Sequence, residues 1–417
     1  MAHYKVPGVT IAVIKDYALD WADAYGVLNQ KTEEKVTPST AFQAASISKT
    51  INAIGVLKWA LENNIDIKTD VNKYLKSWKL ESEDTVTIYD LLTHTAGLSV
   101  HGFPGYTDDS DLPGTVQILN GQKPANNNRI EPLFAPREKF KYSGGGTTII
   151  QLLLEDNAGD YAAYMSKAIF TTLEMERSFY PTNFKDLVSM SHDHKGKTRK
   201  NGYNVYPELG AAALWTTPTD LAKLIIELQL SLEGKSEKIL TQQTVQLLTT
   251  PWMEGQTNAL GTFIDSEGEI KYFQHSGGNE GFNCLYYASM EKGHGAVVMI
   301  NAEKFDLIHE IMRGIAETYG WSTYLPTIVE RADAPTKDEL KSYEGTYRSV
   351  DAKDKTVEVF LKKGNLFVEQ KKRWRSELMP QGNNVFITKT IQPAATVTFE
   401  DDKIIIKQGE EYVWIKE

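Results

Sequence analysis

Ser46-Ile47-Ser48-Lys49 stands directly before the run Thr50-Ile-Asn-Ala-Ile-Gly-Val-Leu-Lys-Trp-Ala-Leu-Glu-Asn63. Within it Ile51, Ile54, Leu57, Ala60 and Leu61 recur at helical spacing, with no proline and a single glycine, which predicts a helix over 49–63. Three residues span about one helical turn, so Ser46 and Lys49 share a face. A hydroxyl is a weak nucleophile until a base takes its proton, and an amine serves as that base in its neutral form. Burial and the positive end of a helix both disfavour a charged amine. A second such pair, Ser289-Met-Glu-Lys292, falls in a predicted turn between strands, where the lysine reads as a solvent-facing charge.

Working outward, Val9–Ile14 reads as a buried strand after a Pro-Gly turn. Asp70-Val-Asn-Lys-Tyr-Leu and Thr87-Ile-Tyr-Asp-Leu-Leu-Thr read as short helical pieces, and His101–Pro136, rich in Gly, Pro, Asn and Asp, as long irregular loops. Helices are expected at Thr147–Glu155 and from Thr217, with Thr217 as N-cap, Pro218 in the first turn and Asp220 as capping partner. Segments 259–264, 270–276, 282–288 and 295–301 read as consecutive antiparallel strands, followed by a helix over 303–319. A strand opens the region, strands and a helix close it, and helices fill the middle. This is an α+β layout, an antiparallel sheet flanked by helices with an inserted helical lobe.

After Leu325 the pattern changes. Residues 326–336 read as a linker between a larger α+β domain, 1–325, and a small β domain, 337–417. Strands are expected at Val357–Leu361, Leu366–Glu369, Val385–Ile387, Thr396–Phe399, Ile404–Ile406 and Tyr412–Ile415, with turns at Lys363-Gly-Asn365 and Gly382-Asn-Asn384, which suggests a barrel or sandwich. Charge shifts at the same place. Residues 336–417 hold 15 Lys+Arg against 14 Asp+Glu, whereas the whole chain of 417 residues carries a net charge of −10.

That acidic balance argues against general nucleic-acid binding. With 41% apolar and 24% charged residues the chain reads as a globular protein, and no apolar run reaches the ~18 residues of a membrane span. Met1 runs almost directly into Val6-Pro-Gly-Val9 without a signal peptide, so a soluble cytoplasmic chain or a trimmed exported one is expected. Cys284 stands alone, which excludes an internal disulfide.

Two further elements bear on chemistry. Tyr142-Ser143-Gly144 follows Ser46 by 96 residues, and a tyrosine hydroxyl near a serine can pass a proton to a leaving group. His275-Ser276-Gly277-Gly278 falls on a predicted strand, where glycines let a substrate backbone approach. A free N–H there, with that of Ser46, can form an oxyanion hole. Ser191-His-Asp-His194 lacks partners at ligand spacing and is not read as a metal site. Gly144-Gly-Gly-Thr-Thr148 lacks the lysine of a phosphate loop. Lys371-Lys-Arg-Trp-Arg375 reads as a solvated turn, and His94 as structural.

Ser-x-x-Lys, then Tyr-Ser-x, then a His-Ser-Gly strand resembles, in that order, the serine β-lactamase and penicillin-binding protein superfamily. Val6-Pro-Gly-Val-Thr-Ile-Ala-Val13, Leu91-Leu-Thr-His-Thr-Ala-Gly-Leu98, Gly210-Ala-Ala-Ala-Leu-Trp-Thr-Thr-Pro-Thr-Asp-Leu221 and His275-Ser-Gly-Gly-Asn-Glu-Gly-Phe282 resemble its class C β-lactamase-like branch of esterases, D-amino-acid peptidases and DD-carboxypeptidases. From Tyr343-Glu-Gly-Thr-Tyr347 the tail resembles the lipocalin-like barrel some members append.

The resemblance implies Ser46 as the acylated nucleophile, Lys49 as its base and Tyr142 as proton carrier for the leaving group. It implies the N–H groups of Ser46 and Gly278 as the oxyanion hole, with Gly144, His275, Ser276 and Gly277 lining the substrate site and no metal or organic cofactor. The implied activity is a serine acyl-enzyme hydrolase of short esters or peptides, including those with D-residues. The alternative is a penicillin-binding relative that β-lactams acylate at Ser46 with little turnover. Oligomeric state is left open. Two departures stand out. Penicillin-acting members usually have Asn where this chain has Gly144, and a strand lysine where it has His275. A histidine there is mostly neutral near pH 7 and gains charge near a reference pKa of about 6.5.

Overall fold

The computed structural model describes all residues except 108–110, 182–187, 267, 325–331, 333–334, 351, 353–354, 372–373, 390, 392–393 and 409. The chain divides into two compact units, Met1–Leu325 and Pro326–Glu417. The linker expected at 326–336 falls largely on residues outside the described set.

The larger unit is built on a seven-stranded antiparallel sheet. Its strands are β1 (Gly8–Lys15), β2 (Ala18–Asn29), β3 (Glu34–Lys35), β6 (Phe263–Asp265), β7 (Tyr272–Asn279), β8 (Phe282–Ser289) and β9 (Gly295–Ile300), in the order β3-β2-β1-β9-β8-β7-β6. The short strands β4 (Phe42–Gln43) and β5 (Trp215–Thr216) pair separately. Both faces of the central strands are apolar because both are covered. The helix Phe305–Thr318 packs on one face, where Val9, Ile11, Val13, Leu285 and Val298 are buried with Ile308 and Met312. The helix Pro218–Leu232 and the helical lobe cover the other, with Ala12, Ile14, Tyr286, Val297 and Met299 in that core.

The lobe holds the helices Ser48–Glu62 and Gly144–Ala158. The first is buried on nearly every side. Asn52 ties it to its neighbours, its Nδ2 donating to Thr147 O at 3.1 Å and its Oδ1 accepting from the Tyr161 hydroxyl at 2.9 Å. Thr217 caps the helix Pro218–Leu232 by accepting from Asp220 N at 3.2 Å, with Pro218 in the first turn.

Several elements differ from the sequence expectation, among them the following three. β2 went unread because it lies half exposed and carries no apolar run; it folds back on β1 through Asp16 and Tyr17, whose φ of 49° and 63° suit a tight hairpin turn. The region 101–136 contains a helix, Thr115–Asn120, ended by Gly121 at φ 62°. The strand expected over 259–264 is confined to Phe263–Asp265.

The smaller unit closes as an eight-stranded antiparallel barrel: β10 (Gly345–Ser349), β11 (Thr356–Lys362), β12 (Asn365–Gln370), β13 (Trp374–Gly382), β14 (Val385–Thr388), β15 (Thr396–Glu400), β16 (Lys403–Gln408) and β17 (Glu410–Lys416). β10 pairs with β17 to remove the free edges. Two of these strands were not expected. β10 is short, and β13 begins in the basic cluster 371–375 and carries Pro380 beside a bulge. Tyr347, Val359, Leu366, Phe386, Val397, Phe399, Ile404 and Trp414 pack in one buried cluster, as the narrow bore of an eight-stranded barrel allows.

Candidate active site

Ser46 sits in a single 3₁₀ turn, Ala45–Ile47, that feeds the helix Ser48–Glu62. Ala45 holds φ at 46°, a left-handed conformation rare for a residue with a side chain. The surroundings enforce it. Ala44 N donates to Leu214 O at 2.8 Å, and Ser48 Oγ donates to Ala45 O at 2.6 Å while accepting from Leu214 N at 3.0 Å. Ser48, the other serine of the motif, is therefore a staple.

Lys49 is buried, and its Nζ lies 3.0 Å from Ser46 Oγ and 2.8 Å from Ala211 O. The Ala211 carbonyl comes from the short helix Leu209–Ala212. Nζ also stands 5.0 Å from the centroid of the Tyr142 ring. Tyr142 is half-buried, just before the helix Gly144–Ala158. Ser143 caps that helix, accepting from Gly146 N at 3.0 Å, and donates to Ser99 O at 2.7 Å.

Aromatic rings fix Tyr142 from several sides. His94 lies at 4.4 Å between centroids, His101 at 4.9 Å, His275 at 6.3 Å, and Phe263 is stacked on it at 6.4 Å. His94 accepts from Ser143 N through Nδ1 at 3.3 Å, so its Nε2 carries the proton. Burial, then the nearby Lys49 amine and the other histidines, holds its pKa well below the usual range. Sequence reasoning read His94 as structural, and nothing in its spacing marks it as a neighbour of Tyr142. Phe263 and His101 were missed altogether, since nothing in the sequence marks which loops converge.

The strand β7 supplies the opposite wall. Met290 N donates to Lys271 O at 2.8 Å from the β8 side, and Thr262 Oγ1 donates to Gln274 O at 2.9 Å from the β6 side. Backbone groups alternate along a strand, so those of Ser276 and Gly278 face the β6 side, beyond the last β6 pairing at Gln274. Gly277 lies against Ala44, and Cys284 Sγ donates to the Ala44 carbonyl at 3.1 Å. The N–H of Gly278 is thus carried on a stretch of strand edge that no described strand pairs, next to the Ser46 turn. Asn279 anchors the end of the strand, donating to Gln43 Oε1 at 2.7 Å and Ala212 O at 3.0 Å.

His275 faces inward and is buried, whereas the Ser276 side chain is exposed on the opposite face. His275 Nδ1 lies 2.6 Å from Ser276 O. Burial first, and then the Lys49 amine, push the His275 pKa down to about 3 against that hydrogen bond. The ring does not gain charge near pH 6.5 as the sequence alone implied. At Gly144, a Cβ would meet Phe103 Cε2 at 3.0 Å and His101 O at 3.2 Å. The room a longer side chain would need is taken by the 101–103 loop.

The remaining candidates are placed elsewhere. Ser289 ends β8 as a buried staple, donating to His294 O at 3.0 Å and accepting from His294 N at 2.8 Å, with Lys292 exposed. His192 Nδ1 lies 2.9 Å from Asn301 O. Among the described residues no group of three His, Cys, Asp or Glu side chains could hold a metal ion, and no helix is long and apolar enough to cross a membrane.

Comparison with known proteins agrees with this layout. Protein flp of Staphylococcus aureus (strain N315) is 25% identical over 317 residues, which is 71% of this chain and 60% of that protein. The chain thus spans about 60% of the length of that relative. The octameric penicillin-binding protein homologue from Pyrococcus abyssi superposes with a TM-score of 0.68 at 23% identity, covering 99% of this chain and 97% of that one. The D-amino acid amidase from Ochrobactrum anthropi SV3, complexed with D-phenylalanine, gives 0.58 at 16% identity over 71% and 87% of the two chains. At these identities the structural likenesses show the fold. The beta-lactamase family model matches residues 1–314, three quarters of the sequence, and the chain belongs to the beta-lactamase family.

Proposed function

We propose that this protein is a serine acyl-enzyme hydrolase acting on short esters or peptides, including those with D-residues. The observation that carries the reading is Lys49 Nζ at 3.0 Å from Ser46 Oγ, beneath the Tyr142 ring and beside a strand edge that no described strand pairs. Lys49 Nζ takes the Ser46 proton as Oγ attacks the carbonyl carbon. The N–H groups of Ser46 and Gly278 hold the oxyanion. Tyr142 passes a proton to the leaving group as the tetrahedral intermediate collapses to the acyl-enzyme. Water then attacks the ester, the released acid departs, and Ser46 recovers its proton. The D-amino acid amidase likeness supports D-residues as candidate substrates. The close fit of Phe103 against Gly144 and the uncharged His275 weigh against penicillin-type substrates.

A panel of nitrophenyl esters, D- and L-aminoacyl anilides and a chromogenic cephalosporin tests the reading. Wild type should turn over repeatedly on esters or anilides, and Ser46→Ala should lose at least ~10³-fold in rate along with fluorophosphonate labelling. Ser289→Ala should keep that labelling. A burst of one equivalent without further turnover supports a penicillin-binding protein instead, and unchanged activity in Ser46→Ala overturns the serine mechanism.

A further inference from the structure

The short helix Leu209–Ala212 delivers the Ala211 carbonyl to Lys49 Nζ, yet it has no cap of its own. The first turn of a helix leaves N–H groups without partners inside it. Glu208, at the N-cap position, makes no capping hydrogen bond with its side chain. The acceptor comes from another helix: Gly210 N donates to Gln151 Oε1 at 3.0 Å. Gln151 Nε2 lies 3.2 Å from Pro207 O, 2.9 Å from Glu155 Oε1 and 3.2 Å from Thr115 Oγ1. These partners fix which way the amide points, because a backbone N–H needs an oxygen and a carbonyl needs an N–H.

Gln151 is buried on the helix Gly144–Ala158, nine positions after Tyr142. The segment it grips runs tight against the helix Ser48–Glu62, where a Cβ on Gly210 would meet Asn52 Cγ at 2.9 Å. Beyond Ala211 the segment is held by Asn279, which donates to Ala212 O at 3.0 Å, and by Leu214, bonded to Ala44 and Ser48. The Ala211 carbonyl thus lies between two anchors, and Gln151 supplies the one on the Tyr142 helix. An amine acting as a base turns its lone pair to the incoming proton. An N–H held at 2.8 Å by Ala211 O sets that direction toward Ser46 Oγ, 3.0 Å away.

We propose that Gln151 is a positioning residue for acylation: by gripping Gly210 N and Pro207 O it aims the Ala211 carbonyl at Lys49, and so aims Lys49 at Ser46. The proposal rests on the serine-hydrolase reading and adds to it a residue bonded to neither Ser46 nor Lys49. The helix that bears Gln151 follows directly on Tyr142 and Ser143. One element therefore sets the base and the proton carrier relative to each other.

Single-turnover acylation of the full chain by a nitrophenyl ester is the test. Gln151→Met keeps the side-chain length without the amide. It should lower the limiting acylation rate ~10-fold or more, as a misplaced base does, and leave the half-saturating ester concentration unchanged. In a Lys49→Ala background the same substitution should change the rate less than ~2-fold, because it acts through Lys49. Gln151→Glu is the conservative variant. Protonated, its carboxyl offers an acceptor and a donor as the amide does; ionised, it meets Pro207 O and Glu155 with acceptors alone. Its rate relative to wild type should be higher at pH 5.5 than at pH 8, whereas that of Gln151→Met should be equal at both. Glu155, in contact, and Glu208, next to Pro207, are the titratable groups beside this position, and both are present in every variant compared. Wild-type acylation in Gln151→Met, a loss confined to the half-saturating concentration, an equal loss in the Lys49→Ala background, or a Gln151→Glu ratio that is flat or follows that of Gln151→Met each overturns the proposal. Where a thermal melt shows Gln151→Met unfolded, the Gln151→Glu ratio decides alone. Fluorophosphonate labelling runs alongside. Labelled wild type with indifferent Gln151 variants refutes the role of Gln151, whereas wild type that neither labels nor turns over refutes the hydrolase reading and this proposal with it.

Discussion

The carbonyl oxygen of Ala44 lies 2.2 Å from the point where a Cβ on Gly277 would stand, with Cys284 Sγ at 2.6 Å. The strand that bears His275 and Gly278 is thereby pressed against the turn that bears Ser46. No side chain fits between them, so glycine here sets the width of the site. Gly277→Ala should cost about 1–3 kcal/mol of stability, as overpacking does, and should also lower the rate of Ser46 labelling. Thermal melts and labelling kinetics read both. A variant that melts and labels like wild type would mean that the contact does not position the serine.

Lys49 and Tyr142 act on different protons, so their losses should differ by substrate. Lys49→Ala should slow acylation by ~10²-fold or more on every ester, the scale expected of a general base. Tyr142→Phe should cost little with nitrophenyl esters, whose leaving group needs no proton, and much more with anilides. Pre-steady-state acylation rates for the two classes decide this. Equal losses on both would remove Tyr142 from leaving-group chemistry.

Gly144→Asn should not by itself create cephalosporin turnover, because Phe103 Cε2 stands 3.0 Å from the new Cβ. The single variant should lower Tm. Combined with Phe103→Ala, it should be better tolerated than the sum of the two single effects, since contacting residues couple. A double-mutant cycle in Tm measures the coupling, and additivity would show that the loop yields freely.

Glu208 is fully buried at the start of the segment that reaches Ala211, and neither carboxyl oxygen bonds to another described side chain. Burial raises its pKa from 4.5 to about 7, opposed only by its own backbone N–H. The folded chain therefore keeps a proton that the unfolded chain loses as pH rises through this window. Stability falls across that window, by about 3 kcal/mol once pH exceeds 7. Glu208→Gln removes the titration. Its Tm relative to wild type should be higher at pH 8 than at pH 5, and an identical difference at both values would place the ionised carboxylate in solvent.

Local pattern carried much of this protein. The helical spacing of Ile51, Ile54 and Leu57, the Thr217-Pro218 start and the period-two tail are nearest-neighbour signals, and each corresponds to an element of the fold. Ser46 and Lys49 were legible as a pair because one helical turn separates them, a distance that the backbone itself dictates. Gly277 was legible as a glycine on a strand, though not for the Ala44 carbonyl that requires it.

What the tertiary structure decided is what lies between elements far apart in the chain. β2 escaped detection because half exposure leaves no apolar rhythm, and β13 because Pro380 and the basic cluster 371–375 imitate a turn. His94 and Phe263 reach Tyr142 only through packing, and the Ser276 side chain is exposed while that of His275 is buried because side chains alternate on β7. His275 shows the difference most directly. Its presence on a strand was read from the sequence, but whether it is charged depends on desolvation and on Lys49, contributed by a helix more than 200 positions earlier. Sequence sets which groups are available and their local geometry; burial and long-range contact, which exist only after folding, set their protonation and direction.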